Sequence, residues 1–176
     1  MSVRRLTPTS YAVLGVLAET SATSYDLVAR VGRTIGNFWI FSHAQLYAEP
    51  ARLEARGLLT SAVEEGGRRR RLYTITAAGR SELLRWLSQP TPGHTEVRDP
   101  GLLKLFFSDL ADHGAIAALA RDQRDAHARR AAAYERLREV VASLASPAQV
   151  ATLDLGLRME RTIAEFWEEL LSSSSR

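Results

Sequence analysis

Residues 42–75 read SHAQLYAEPARLEARGLLTSAVEEGGRRRRLYTI, and this stretch decides the fold. It opens as a helix. Ser42 and Gln45 have the spacing of a capping box, Phe41 and Leu46 that of a hydrophobic staple, and Gly57 supplies a stop. Two short β-prone runs follow, 58–65 and 72–75, on either side of Gly66-Gly67 and four consecutive arginines, Arg68, Arg69, Arg70 and Arg71. That order predicts a hairpin with a flexible, strongly cationic tip. On a helical wheel Leu46, Pro50 and Leu53 turn inward, while Ala44, Gln45, Ala48, Ala51 and Arg52 turn outward. Pro50 removes one intrahelical bond to Leu46, so a kink or a shortened helix is expected.

Working back toward the N-terminus, Thr7-Pro8 is an N-cap followed by proline at the first helical position, with Tyr11, Leu14, Leu17 and Ala18 at helical spacing behind it. A second helix, capped by Ser24, carries Leu27, Val28, Val31 and Ile35 and ends near Gly36. Beyond the hairpin, Thr76 caps a fourth helix bearing Leu83, Leu84, Trp86 and Leu87. Residues 89–97 hold two prolines and a glycine, which makes them a linker between a domain over 1–88 and a second over 98–171, with a frayed tail at 172–176.

The second half reads as helices alone. Asp99-Pro100 starts one with Leu102, Leu103, Phe106, Phe107 and Leu110 on its apolar side. A longer helix over 112–145 carries Ile116, Ala120, Gln123, His127, Arg130, Tyr134, Leu137, Val141 and Leu144 at alternating spacings of four and three, a heptad seam with a polar middle. A last helix begins at Ser146-Pro147, with a capping box to Gln149, and runs through Leu157, Met159, Ile163, Phe166, Trp167 and Leu170. At 1.5 Å per residue the long helix would extend about 50 Å, too far for so small a subunit to cover alone. Ile116, Ala120, Gln123, His127, Tyr134, Leu137 and Val141 of the seam, with Ile163, Phe166, Trp167 and Leu170, are therefore the predicted dimerisation surface. The fold class expected is mainly α: an N-terminal winged helix-turn-helix of three helices, a two-stranded wing and a fourth helix, then a C-terminal antiparallel helical dimerisation domain.

Composition narrows the function. With 45% hydrophobic and 24% charged residues the chain is an ordinary globular protein. No apolar run approaches the roughly 20 residues needed to span a bilayer, and the first residues lack the apolar segment of a signal peptide, which places the chain in the cytoplasm with no membrane partner. The absence of cysteine excludes disulfides, thiolate chemistry and cysteine-ligated metals. Charge is uneven: residues 1–88 hold 12 arginines against 7 acidic residues, whereas residues 89–176 hold 11 basic and 13 acidic ones. A basic first half meets a polyanion; a mildly acidic second half meets itself.

Three helices followed by a basic hairpin in under 80 residues is the layout of a winged helix-turn-helix, whose third helix enters the major groove while its wing neutralises phosphates or enters the minor groove. Among the outward groups Gln45 suits adenine, Ala44 and Ala48 suit thymine methyls, and Arg52 suits a phosphate. Ser42, His43 and Tyr47 flank this face, and Tyr25 stands at the start of the second helix, which crosses the backbone. With so few base-reading groups, specificity should owe much to the wing and to DNA shape.

The segments Leu14-Gly15-Val16-Leu17, Ser24-Tyr25-Asp26-Leu27, 42–47, 52–58 and 73–80 resemble the PadR family of transcriptional regulators across residues 7–87. The second half looks like the helical dimerisation domain of that family's longer members. The resemblance implies a bacterial homodimeric repressor on a pseudo-palindromic operator, released by a small molecule, with an aromatic or drug-like effector in prospect. One departure stands out: the family usually has proline directly after the recognition-helix tyrosine, whereas Ala48 follows Tyr47 here and the proline comes at 50.

Other readings stay open. Phe38, Trp39 and Trp167 can line an apolar effector pocket, or simply pack a core. His127 on the seam can be a pH-sensitive interface group or a packed, hydrogen-bonded side chain. A winged helix can also bind protein instead of DNA. An enzyme is disfavoured: His43, His94, His113 and His127 share no metal-ligand spacing, and neither a phosphate loop nor a nucleophile elbow is present, so no cofactor is expected. Replacing Arg68 to Arg71 together by alanine is expected to weaken binding to every DNA sequence and to flatten its salt dependence, as phosphate contacts require. Affinity measured across a salt series checks this.

Overall fold

A computed structural model of the chain describes residues 5–63, 70–91 and 97–174. The chain divides into two compact units, Met1–Gly93 and His94–Arg176.

In the first unit, helix α1 (Pro8–Glu19) starts at Thr7, whose hydroxyl accepts from the Ser10 N–H while the Ser10 hydroxyl accepts from the Thr7 N–H, a closed capping box. Helix α2 (Ser24–Arg33) is capped by Thr23 instead of Ser24: the Thr23 backbone is extended, and its hydroxyl accepts from the Asp26 N–H and donates to the Asp26 carboxylate. The helix stops at Arg33, short of Gly36, because the Thr34 hydroxyl takes the Arg30 carbonyl and the chain turns into a single 3₁₀ turn, Ile35–Asn37.

Helix α3 (His43–Glu54) begins at Ser42 without a side-chain cap bond, so the capping box with Gln45 does not form; Gln45 points into solvent. The staple residues do reach the core, Leu46 fully and Phe41 in part. Pro50 neither ends nor shortens the helix, which runs a full turn past it. Its ring is fully buried, and packing offsets the lost bond. The helix closes through Gly57 (φ 73°), with the Leu58 N–H donating to the Leu53 carbonyl.

Strands β2 (Leu59–Val63) and β3 (Arg71–Ile75) pair antiparallel, Leu59 opposite Ile75 and Val63 opposite Arg71. The wing has a third member. Strand β1 (Ala22–Thr23) pairs with the other edge of β3, Ala22 opposite Tyr73, giving the order β1-β3-β2. Two residues are too few to show a strand period, so only the paired backbone reveals β1. Helix α4 (Ala77–Leu87) is capped by Thr76, whose hydroxyl accepts from the Gly79 N–H and donates to the Gly57 carbonyl. Of its apolar residues Leu83 is buried, Leu84 and Leu87 are exposed, and Trp86 stacks on Tyr11 at 4.5 Å. One core joins Leu14, Leu17, Leu27, Val31, Leu46, Leu53, Leu59, Tyr73 and Ile75.

In the second unit, Asp99 caps helix α5 (Pro100–Phe106) through the Gly101 N–H, and a 3₁₀ turn (Ser108–Leu110) follows. Helices α6 (His113–Val141) and α7 (Pro147–Ser174) lie antiparallel, joined by Arg124–Glu168, His127–Glu160, Arg138–Asp154 and Arg161–Glu135 pairs. The Ser146–Gln149 capping box is present. The long helix ends at Val141, not near Ala145, and α7 continues to Ser174, into the stretch expected to fray, whose last two residues lie outside the described residues. Among the described residues no helix is long and apolar enough to cross a membrane.

A Cβ on Gly79 would stand 2.2 Å from the Leu58 carbonyl oxygen, a backbone atom that cannot swing away. Gly79→Ala is therefore expected to destabilise the first unit by roughly 2 kcal/mol or more, through overpacking where hairpin and α4 meet. Thermal unfolding followed by circular dichroism checks it.

Candidate nucleic-acid interface

Helix α3 is two-sided. Leu46, Glu49, Pro50 and Leu53 are buried; Ser42, His43, Ala44, Gln45, Tyr47, Ala48, Ala51 and Arg52 are exposed. The outward set is the one the helical repeat predicts. Tyr25, at the start of α2, is 71% exposed. Inward-facing Glu49 was not anticipated. It sits three residues after Leu46 and four before Leu53, so the repeat does place it on the buried face, but its partner Ser10 lies 39 residues away and leaves no local signal.

The arginine run is divided. Gly66, Gly67, Arg68 and Arg69 lie outside the described residues. Arg70 is exposed. Arg71, the first residue of β3, is held at the base of the hairpin: its Nη2 lies 3.2 Å from the Glu54 carboxylate, and its guanidinium stands 5.9 Å from the centre of the Tyr73 ring. The Ser61 hydroxyl donates to the same carboxylate at 2.6 Å. Glu54 therefore neutralises part of the cationic patch expected at the wing tip.

The proposed effector aromatics fall in different units. Phe38 and Trp39 are exposed in the first, Trp39 tilted against Phe41. Trp167 is fully buried in the second, edge-on to Phe166, and its indole N–H has no partner among the described residues. A shallow groove lies between α6 and α7 around Ala131, Glu135, Arg161 and Ala164, and none of the three aromatics lines it.

The seam expected to face a partner is largely used within one chain. Ala120 and His127 are buried, and Ile116, Gln123, Tyr134, Leu137 and Val141 are partly so, because α7 folds back beside α6; Ile163 and Leu170 on α7 are likewise half-buried. Trp167 is inaccessible for the same reason. Arg130 and Leu144 stay exposed, as does Phe166 in part. His127 is packed, its Nδ1 2.5 Å from the Glu160 carboxylate. Open apolar side chains include Leu102, Leu103, Phe106 (79% exposed), Phe107 and Leu110 (88% exposed) on α5 and the turn after it, and also Val140, Leu144, Leu155, Met159 and Phe166 along α6, α7 and the turn that joins them. Among the described residues no three metal-ligating side chains come together. His43 is exposed, and His94 lies outside the described residues.

Three helices, an outward polar face on the third and an arginine-bearing hairpin behind it define a winged helix-turn-helix of the DNA-binding class. Comparison with known proteins makes the assignment specific. Residues 13–85 match the family described as "Transcriptional regulator PadR-like family", and residues 97–173 match "Virulence activator alpha C-term". The negative transcriptional regulator PadR of Bacillus subtilis is 30% identical over 115 residues, 64% of this chain and 63% of that protein; the match spans less than two thirds of the relative's length. The crystal structure of Bacillus subtilis PadR in complex with operator DNA is similar with a TM-score of 0.85 and 26% identity, covering 94% of this chain and 98% of that one. The structure of the Vibrio cholerae virulence activator AphA is similar at 0.70 and 28% identity, covering 94% and 96%. Residues 13–85 thus carry the domain of the PadR-like family of transcriptional regulators, and the chain as a whole is similar to solved PadR.

Arg70→Ala is expected to lower the slope of log affinity against log salt by about 0.9, one phosphate contact, whereas Arg71→Ala, with its charge already compensated by Glu54, should change it by less than about 0.5. Titrations of one duplex at four or five salt concentrations separate the two.

Proposed function

We propose that this chain is a sequence-specific DNA-binding repressor that works as a homodimer in the cytoplasm. The carrying observation is the exposed α3 face on a fold similar to that of a negative regulator solved with operator DNA. With α3 in the major groove, Gln45 reads adenine, Ala44 and Ala48 meet thymine methyls, Ser42, His43 and Tyr47 border the groove, and Arg52 meets a phosphate. Tyr25 meets the backbone crossed by α2. Arg68, Arg69 and Arg70 supply the wing, with Arg71 contributing less.

A symmetric dimer would place two recognition helices on half-sites about 34 Å apart. The open apolar residues of α5 and its following turn are proposed as its interface, together with the half-buried residues of the α6 seam and of α7. Phe38 and Trp39 keep an aromatic or drug-like effector in view.

The test is enrichment of duplexes from a random-sequence library by the full-length chain, followed by competition against unrelated DNA of equal length. A recurrent, two-fold-related motif is the expected result. Equal binding to all sequences, unaffected by Gln45→Ala, would instead favour a protein-binding winged helix. Leu103→Asp with Phe106→Asp is expected to shift the chain from dimer to monomer in sedimentation and to cost at least about tenfold in affinity for the enriched duplex, since each half-site then binds alone. A dimer that persists would move the interface away from α5.

A further inference from the structure

Glu49 is a carboxylate where the helical repeat calls for an aliphatic side chain, and it is only 4% exposed. Both its oxygens are partnered. The Ser10 hydroxyl donates to Oε1 at 2.6 Å, and Arg52 donates from Nη1 to Oε2 at 3.0 Å. Since the Ser10 hydroxyl has a single proton, given to Glu49, its lone pairs accept from the Thr7 N–H at 3.0 Å and from the Thr7 hydroxyl at 3.1 Å. Among the hydroxyls donation therefore runs one way, Thr7 to Ser10 to Glu49, while the Ser10 N–H donates back to the Thr7 hydroxyl and Arg52 closes the chain from the other side.

Anchoring α3 on α1 does not require this arrangement. An apolar residue at 49 would pack there without the desolvation cost of a buried charge. What the carboxylate adds is its hold on Arg52, an otherwise half-exposed side chain with several free torsions. Arg52 stands seven residues beyond Gln45, about two turns and about 10 Å along the same outward face. After one bond to Glu49, its guanidinium keeps further N–H donors for an anion.

We propose that Glu49 is a positioning residue for DNA recognition: the Thr7–Ser10–Glu49 relay, buried at Ser10 and Glu49, holds the Arg52 guanidinium on the outward face of α3, so that its phosphate contact is preorganised. This rests on the DNA-binding reading above. It also makes a prediction opposite in sign to simple electrostatics, because a negative charge beside a phosphate contact, if it did nothing else, would weaken binding.

The experiment uses the full-length chain and two duplexes: one enriched by the wild type from a random library and one unrelated, of equal length. Affinities are measured by fluorescence anisotropy at fixed salt for wild type, Glu49→Gln, Ser10→Ala, Arg52→Ala, and each of the first two combined with Arg52→Ala. Glu49→Gln and Ser10→Ala are each expected to weaken binding to both duplexes by about 5- to 10-fold, as loss of a preorganised phosphate contact requires, and to add nothing further in the Arg52→Ala background. A loss that persists undiminished without Arg52 would reduce Glu49 to a structural anchor and overturn the proposal. So would tighter binding of both duplexes by Glu49→Gln. If Glu49→Gln fails to fold by circular dichroism, Ser10→Ala alone decides between the same outcomes. A wild type that enriches no duplex refutes the DNA-binding reading itself, whereas a wild type that enriches one leaves that reading standing whatever Glu49 does.

Discussion

Everything the first unit can do depends on one face of α3 being buried. Leu46, Pro50 and Leu53 are withdrawn from water against the side chains of α1, α2 and the sheet, and apolar burial of this kind is the largest favourable contribution to folding. Because a helix is rigid, fixing one face fixes the other. Gln45, Ala48 and Arg52 are held in register by residues that never touch solvent. Pro50 fits the same logic: buried among apolar neighbours, it loses a hydrogen bond but keeps the helix on course to Glu54.

Electrostatics refine what packing establishes. Both carboxylates of α3 are paired with arginines that face the proposed DNA surface, Glu49 with Arg52 and Glu54 with Arg71. Each pair trades some cationic strength for a defined side-chain position. Nonspecific attraction to a polyanion grows with unpaired charge, whereas discrimination between sequences grows with geometry. Among the described arginines of the run, Arg70 is exposed, while Arg71 holds the base of the hairpin against Glu54 of α3. In the second unit the same kind of ion pair joins α6 to α7, around a buried His127–Glu160 contact.

Much of this was legible from short-range patterns. Thr7, Thr76, Asp99 and Ser146 cap their helices as their positions suggest, since a cap bond reaches only two or three residues along the chain. The inward set Leu46, Pro50 and Leu53 follows from the helical period. Local patterns also misled where two neighbours compete: Thr23 and Ser24 are both good caps, and the β1–β3 pairing, which draws residues 22 and 23 into extended backbone, gives the role to Thr23. Gln45 has the right spacing for a capping box, yet its side chain stays in solvent.

By itself the sequence determined the helices, the hairpin, the outward face of α3 and the uneven charge, because each depends on residue type and on spacings of two to four. Only the tertiary structure decided that Ser10 meets Glu49, that a two-residue strand completes the sheet, and that α7 of the same chain packs along the heptad seam of α6, burying Ala120 and His127 and half-burying much of the rest. A periodic apolar stripe states that a face must be buried; it does not state against what. That choice belongs to the chain's path through space, which brings together residues as far apart in sequence as Ser10 and Glu49, 39 positions, and no local spacing encodes it.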